Sequence, residues 1–346
     1  MFNPGCPVSY YSKTKIEMGH GGGGRMTADL INTIFQPSFD NEYLNQQHDG
    51  AIFKINDAGL AFTTDSFVVK PLFFPGGNIG DLAVNGTVND LLCCGAIPDY
   101  LSCGFIIEEG FEIEKLKTIV ETMSTAAKEA GIKFVTGDTK VVEHGKCDGV
   151  YINTSGIGHL RKNIDISPFN VKEGDKVIIT GEIGNHGIAI MSEREGINFS
   201  TKIKSDTASL TDIVGHLLDA VPETSLIRDP TRGGLSSTLN EIAHSAGVTI
   251  NIYEMSLPVN KGVKSACELL GIDPLYVANE GIMIVIVPGD KAEKALETIR
   301  SAKHGSNAMI IGEVTAQSEG LVYLTLPLGQ KRIIEMLSGE QLPRIC

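Results

Sequence analysis

The sequence predicts an α/β (α+β) fold in two domains, and three observations predict it. The chain has 346 residues, long enough for two domains of ordinary size. Apolar runs of strand length alternate with helical patterns in two successive blocks. A stretch broken by Pro168, Asn170 and Gly174 separates those blocks. With 42% hydrophobic and 21% charged residues, the composition is that of a soluble globular protein with substantial cores.

The elements follow in order. Residues 1–45 read as an irregular polar segment up to a Gly-rich loop, with a helical stretch from Met26 to Phe35. Gly50–Ile55 and Leu60–Val69, rich in Phe, Val, Ile and Thr, read as strands. Gly80 to Cys94 reads as a helix and Pro98 to Ile107 as a strand. Ile113 to Ala130 is a long amphipathic helix, ended at Gly131 because glycine accepts the left-handed conformation of a helix terminus. Ile132–Thr136 and Val150–Ile157 complete a first domain over residues 46–166. In a second domain, residues 167–329, strands are expected at Lys176–Thr180, Thr249–Tyr253, Ile282–Val287, Met309–Val314 and Leu321–Leu326. Helices are expected there at Gly187–Glu195, Leu235–Ser245, Val263–Leu270 and Asp290–Ala302. Residues 330–346 read as a short helix and then a tail carrying Cys346. Gly339 loosens that tail and Pro343 biases it towards extended forms, so its last eight residues could reach about 25 Å.

Composition narrows the function. A net charge of −13, 6% aromatics and no Trp argue against a nucleic-acid binder. No apolar run approaches membrane-spanning length, and the first twenty residues show no signal pattern. Seven cysteines, an odd number without C-x-x-C spacing, fit a reducing cytoplasm.

Several segments could carry chemistry. Gly19-His20-Gly21-Gly22-Gly23-Gly24-Arg25 exposes backbone N–H groups that could approach phosphate; the alternative is a plain flexible loop. Asp49, Asp65, Asp90 and Asp138 lie at or near strands and helices of the first domain. Each alone could be a cap or turn residue, but the set suggests Mg²⁺ held jointly with a polyphosphate. Asp81, Asn85 and Asn89 repeat every four residues on an apolar helix and so share one face. Arg228-Asp229-Pro230-Thr231-Arg232-Gly233-Gly234 sets two guanidinium groups at a helix start, suited to an anion or to an interdomain salt-bridge cluster. Glu280 precedes an apolar strand, where it is either an ordinary strand-start residue or, if desolvated, a general base.

The runs Thr63-Thr64-Asp65-Ser66, Phe74-Pro75-Gly76-Gly77-Asn78-Ile79-Gly80, Asp81 to Leu91, Gly137-Asp138-Thr139-Lys140, Arg228 to Gly234, Ala278-Asn279-Glu280-Gly281 and Pro343-Arg344-Ile345-Cys346 closely resemble the HypE family of hydrogenase maturation proteins. The resemblance spans nearly the whole chain, and its Asp-bearing motifs are shared with the wider aminoimidazole ribonucleotide synthetase-like (PurM-like) superfamily. Asn78 stands where many relatives have Asp and is not counted as a ligand. The resemblance implies a two-domain PurM-like fold whose N-terminal domains pair across a homodimer into a β-barrel, with ATP between the domains at the dimer interface. It implies that Cys346 receives a carbamoyl group from HypF, that ATP drives its dehydration to a thiocyanate, and that cyanide passes to iron in the HypC–HypD complex. Asp49, Asp65, Asp90 and Asp138 would then hold metal and phosphates. Gly21, Gly22, Gly23 and Gly24, with Asn85, Asn89, Arg228 and Arg232, would bind the nucleotide. Glu280 would be the base, and Lys140 would pair with phosphate or orient the amide. Two other readings use the same residues: a small-molecule ATP-dependent synthetase or kinase of this superfamily, and a non-enzymatic scaffold holding iron on the terminal thiol.

Overall fold

The computed structural model describes residues 15–46, 48–56, 58–196, 203–317 and 320–338. Cys346 and the rest of the Pro-Arg-Ile-Cys run lie outside the described residues.

The chain enters through a helical arm: α1 (Arg25–Leu30), a π-turn over Ile31–Phe35 and α2 (Gln36–Phe39). β1 (Ala51–Ile55) and β2 (Ala58–Phe67) follow, then the short hairpin β3 (Phe73–Phe74) and β4 (Gly77–Asn78). Helix α3 (Ile79–Cys93) leads into β5 (Ala96–Glu108), α4 (Ile113–Ala130), β6 (Lys133–Val142) and β7 (Val150–Leu160). These build a five-stranded sheet in the order β1-β2-β7-β5-β6. Only β5 and β6 pair in parallel, as the crossover helix α4 between them requires. Helix α3 starts where Asn78 takes the cap position. Its side chain accepts from Gly80 N at 2.7 Å, and its own N–H donates to Asp81 Oδ1 at 2.9 Å. Asn78 Nδ2 also donates to Thr122 Oγ1 of α4 at 2.9 Å, so this residue joins the two helices rather than facing a ligand.

Alternation along β2 decides which side chains meet α3. Ala61, Thr63, Asp65 and Phe67 point towards the helix layer, while Phe62 points the other way and is exposed. Tyr100 and Ile106 of β5 are likewise exposed on that second face, which therefore carries large apolar groups open to solvent.

In the second domain β8 (Lys176–Ile179), α5 (Asn185–Arg194), α6 (Thr211–Ala220), β9 (Leu226–Arg228) and α7 (Gly234–Ala246) come first. Then come β10 (Val248–Tyr253), α8 (Lys261–Leu270), β11 (Ile284–Val287), α9 (Ala292–Ser301), β12 (Met309–Gln317), β13 (Val322–Thr325) and β14 (Lys331–Ile333). Its seven-stranded sheet has the order β14-β13-β10-β12-β8-β11-β9. Helix α6 and strand β9 are additions to the sequence reading. The short helix expected after Gln330 is instead the edge strand β14, whose Lys331, Arg332 and Ile333 pair with Thr325, Leu324 and Tyr323. One buried hydrophobic cluster runs from Leu82, Val88 and Leu92 of α3 to Leu210, Ile213 and Leu217 around α6. The two domains therefore share a core, which fixes how the site between them is held.

Candidate active site between the domains

The polar face of α3 meets the second domain, and the acidic residues collect there. Thr63 Oγ1 donates to Asp90 Oδ2 at 2.7 Å and lies 3.2 Å from the Asp49 carbonyl oxygen. Asp65 and Asp90 face the same small space. A cavity of about 50 Å³ is lined by Asp65 and Asp90 from the first domain and by Asp229, Thr231, Arg232 and Glu280 from the second. Burial raises the pKa of Asp65, and burial together with the Asp65 charge pushes Asp90 well above the usual carboxylate range. Asp229 is pushed up to about 8, by burial first and then by the charge on Asp49. Glu280 is also well raised, by burial and then by Asp229 and Asp206. The first cause is common to all: burial strips these carboxyls of water, and negative neighbours in excess of the guanidinium groups add to it for Asp90, Asp229 and Glu280.

Arg228 and Arg232 behave differently. Arg228 sits 2.7 Å from Asp49 Oδ1 through Nε and 3.0 Å from Glu241 Oε2 through Nη2. Its guanidinium is occupied by carboxylates of both domains, which is the interdomain cluster rather than a phosphate contact. Arg232 lines the cavity itself. Its turn is pressed against the Gly-rich loop: a Cβ on Gly23, whose φ is +70°, would stand 2.7 Å from Arg232 Cβ. The structure thus brings together two segments over 200 residues apart in sequence. Within the loop, Gly23 N donates to Thr27 Oγ1 at 3.0 Å and Gly22 N to the Gly19 carbonyl at 3.3 Å, so these two N–H groups are already engaged. Arg25 N donates to the Leu337 carbonyl at 2.8 Å, which anchors the start of the C-terminal segment beside the same loop.

Asn85 and Asn89 do share a face of α3, but what they meet is protein. Asn85 Nδ2 donates to Thr207 Oγ1 at 3.3 Å; Asn89 Nδ2 donates to the Ala208 carbonyl at 3.0 Å, and Asn89 Oδ1 accepts from Leu210 N at 3.0 Å. Asp138 and Lys140 stand apart from the cavity. Strand β6 runs on through Val142, so Asp138 lies within it and not beyond its end. Both side chains are exposed and paired with each other at 2.6 Å. Asp138, Gly104, Asn153 and Ser66 form one row across the sheet. Three strand spacings of about 4.8 Å put Asp138 about 14 Å from Ser66, so this chain alone does not bring Asp138 and Asp65 to a single ion.

Three residues of the site went unassigned in the sequence. Asp229 stands beside Arg228, whose charge is the stronger signal in that segment. Thr63 could have been found from its alternation with Asp65. Asp206 sits in a stretch without periodicity, and no local signal marks it.

Comparison with known proteins decides the family. Residues 47–160 match the family "AIR synthase related protein, N-terminal domain" and residues 172–324 match "AIR synthase related protein, C-terminal domain". The chain is 50% identical over 331 residues to "Carbamoyl dehydratase HypE" of Azotobacter vinelandii, covering 96% of this chain and 97% of that protein. It belongs to the HypE family. It is also 43% identical over 336 residues to the HypE of Escherichia coli K12, covering 96% and 99% of the two chains. Among solved structures, a HypE-HypF complex matches with a TM-score of 0.85 at 51% identity, over 89% of this chain and 99% of that one. A HypE in complex with ATP matches with a TM-score of 0.81 at 46% identity, over 94% and 98%. A thiamine monophosphate kinase at 16% identity and a TM-score of 0.65 shares the fold alone. The two-domain PurM-like fold is thus that of the HypE family. No helix among the described residues is long and apolar enough to cross a membrane.

Proposed function

We propose that this chain carries out the ATP-dependent dehydration of a carbamoylated cysteine, a thiocarbamate, to a thiocyanate during hydrogenase maturation. The observation that carries this reading is Glu280 in its cavity. Its Oε1 is buried and has no hydrogen-bond partner among the described residues, while Asp65, Asp90, Asp229 and Arg232 line the same space.

The reaction removes oxygen from an S–C(=O)–NH₂ group. The oxygen leaves in phosphate together with one of the two N–H protons, and the other proton passes to a base. Glu280 accepts a proton from the amide nitrogen, a task suited to a desolvated carboxylate of raised pKa. Arg232 offsets negative charge at the cavity wall. The Gly21 to Gly24 loop packs through Gly23 against the Arg232 turn, and phosphates would enter from that side. The donor set suits Mg²⁺: Asp49, Asp65 and Asp90 are hard oxygen ligands, Asp49 Oδ2 is buried and lacks a partner among the described residues, and the crowd of acids wants a cation. Bound there, ATP with Mg²⁺ supplies the phosphoryl group that turns the amide oxygen into a leaving group. Cys346 is the carrier. The anchoring of Leu337 beside the glycine loop supports it, since nine further residues span up to about 30 Å. A tether raises the effective concentration of the thiocarbamate, so weak capture suffices.

In this reading HypF donates the carbamoyl group and the HypC–HypD complex accepts the cyanide, in the cytoplasm. A homodimer with its N-terminal sheets face to face accounts for the exposed Phe62, Tyr100 and Ile106, and lets Asp138 and Lys140 act on a partner's site. Ile106→Lys is expected to convert the dimer to monomer in light-scattering chromatography. A dimer of unchanged mass and affinity would rule out this face. The activity is tested by intact mass spectrometry of the chain incubated with HypF, carbamoyl phosphate and ATP. A carbamoyl adduct should form on Cys346 and then lose the mass of one water. An adduct that persists with ATP and Mg²⁺ present would overturn the assignment.

A further inference from the structure

Residues 203–210 form a strap that contacts both domains. Towards the first domain, Ser205 N donates to the Pro75 carbonyl at 2.7 Å, and Thr207, Ala208 and Leu210 take the amides of Asn85 and Asn89 on α3. Towards the second, Asp206 Oδ2 accepts from Glu280 N at 3.2 Å and Gly281 N at 3.1 Å. The approach is close: a Cβ on Gly281 would stand 1.7 Å from the Asp206 carbonyl oxygen, so only glycine fits there. Asp206 Oδ1 is buried and has no hydrogen-bond partner among the described residues. A carboxylate kept in such a place costs stability, and a neutral residue could fill the volume without that cost.

We infer that Asp206 is a positioning residue for the dehydration: it holds the Glu280 main chain against α3, so that the Glu280 carboxylate enters the cavity in a fixed pose and beside a second negative charge. Asp206 does not line the cavity. It acts through Glu280, and through the strap it links that pose to the helix that carries Asp90. The inference rests on the proposed role of Glu280 as base. The Asp206 charge is one of the causes that raise Glu280, so it makes Glu280 a stronger base.

The test uses the full chain carbamoylated on Cys346, with the loss of water followed by mass spectrometry in single turnover across pH. Asp206→Asn keeps an oxygen for the two N–H groups and removes the charge. Its rate is expected to fall about tenfold or more. Its pH–rate profile should move to lower pH, because Glu280 loses its proton more readily when the neighbouring charge is gone. Binding of ATP, measured separately by calorimetry, should change less than about threefold. Asp206→Glu, which restores charge, should return the profile towards wild type. A profile that stays in place in Asp206→Asn overturns the inference, whatever happens to stability. Glu280→Gln separates the two readings. If it dehydrates normally, the base assignment fails. If it is inactive while Asp206→Asn matches wild type, only the role of Asp206 fails. Should Asp206→Asn not fold, Thr207→Ala, which removes the bond to Asn85, and Ser205→Ala, which removes the 2.8 Å bond between Ser205 Oγ and His186 Nδ1, loosen the strap from either side, and unchanged turnover in both would overturn the inference.

Discussion

Glu280→Gln is expected to slow dehydration by about 10²–10⁴-fold while ATP still binds, the range typical of losing a general base. Gln has nearly the same shape, so the backbone contacts of residue 280 with Asp206 and Asn89 persist. What disappears is the oxygen that can take a proton. The pH dependence gives a second handle. Wild-type Glu280 is held well above the usual carboxylate range, so the reactive deprotonated form gains population as pH rises through that value. The rate should therefore climb with pH on its acidic limb, and that dependence should be absent from the residual activity of the variant. Single-turnover mass spectrometry of the carbamoylated protein measures both. Full activity in the variant, or an unchanged acidic limb, would assign the proton transfer to another group.

How much of this could be read from the chain depends on where each signal resides. Helix α4 is legible at both ends because its amphipathic pattern and Gly131 are local: Gly131 has φ +74°. Strand β6 is expected only to Thr136, whereas pairing with β5 carries it through to Val142. The same holds for β14, where an apparently helical stretch is recruited as an edge strand by β13. Helix α6 has an apolar face in Ile213, Val214, Leu217 and Leu218, but Gly215 interrupts it and Leu210 offers no side-chain cap.

The site divides on the same line. The four-residue spacing of Asn85 and Asn89 correctly placed them on one side of a helix, since that is local geometry. What they touch was not legible, because the strap lies more than 100 residues away in sequence. Composition alone could not tell whether Arg228 faced phosphate or carboxylate. The answer came from Asp49, which the fold delivers from the other domain. Asp206 had no local mark because its partner is the backbone of Glu280, and backbone contacts leave no trace in residue type.

Arg228→Met is expected to lower the unfolding free energy by about 3–5 kcal/mol at pH 8, the usual cost of removing one partner from a buried charge cluster. Methionine can fill much of the space, so the loss is electrostatic. Asp49 and Glu241 lose the guanidinium between them, and Asp229, already near 8, loses a charge that holds it down. Removing Arg228 therefore raises Asp229 and Glu241 further. A carboxyl whose folded pKa exceeds its unfolded value contributes fully below the unfolded pKa, near 4, and that contribution fades as pH rises through the folded value. In wild type the Asp229 contribution is gone above about 8. In the variant it fades over a wider range, reaching higher pH. The variant should accordingly differ least from wild type at about pH 5 and most at pH 8–9, where the acids must ionise without their counter-ion. Urea unfolding at these pH values, without nucleotide, measures the gap. A gap that is small at pH 8, or that does not widen from pH 5, would mean that Arg228 is not the charge that holds the two domains' carboxylates together.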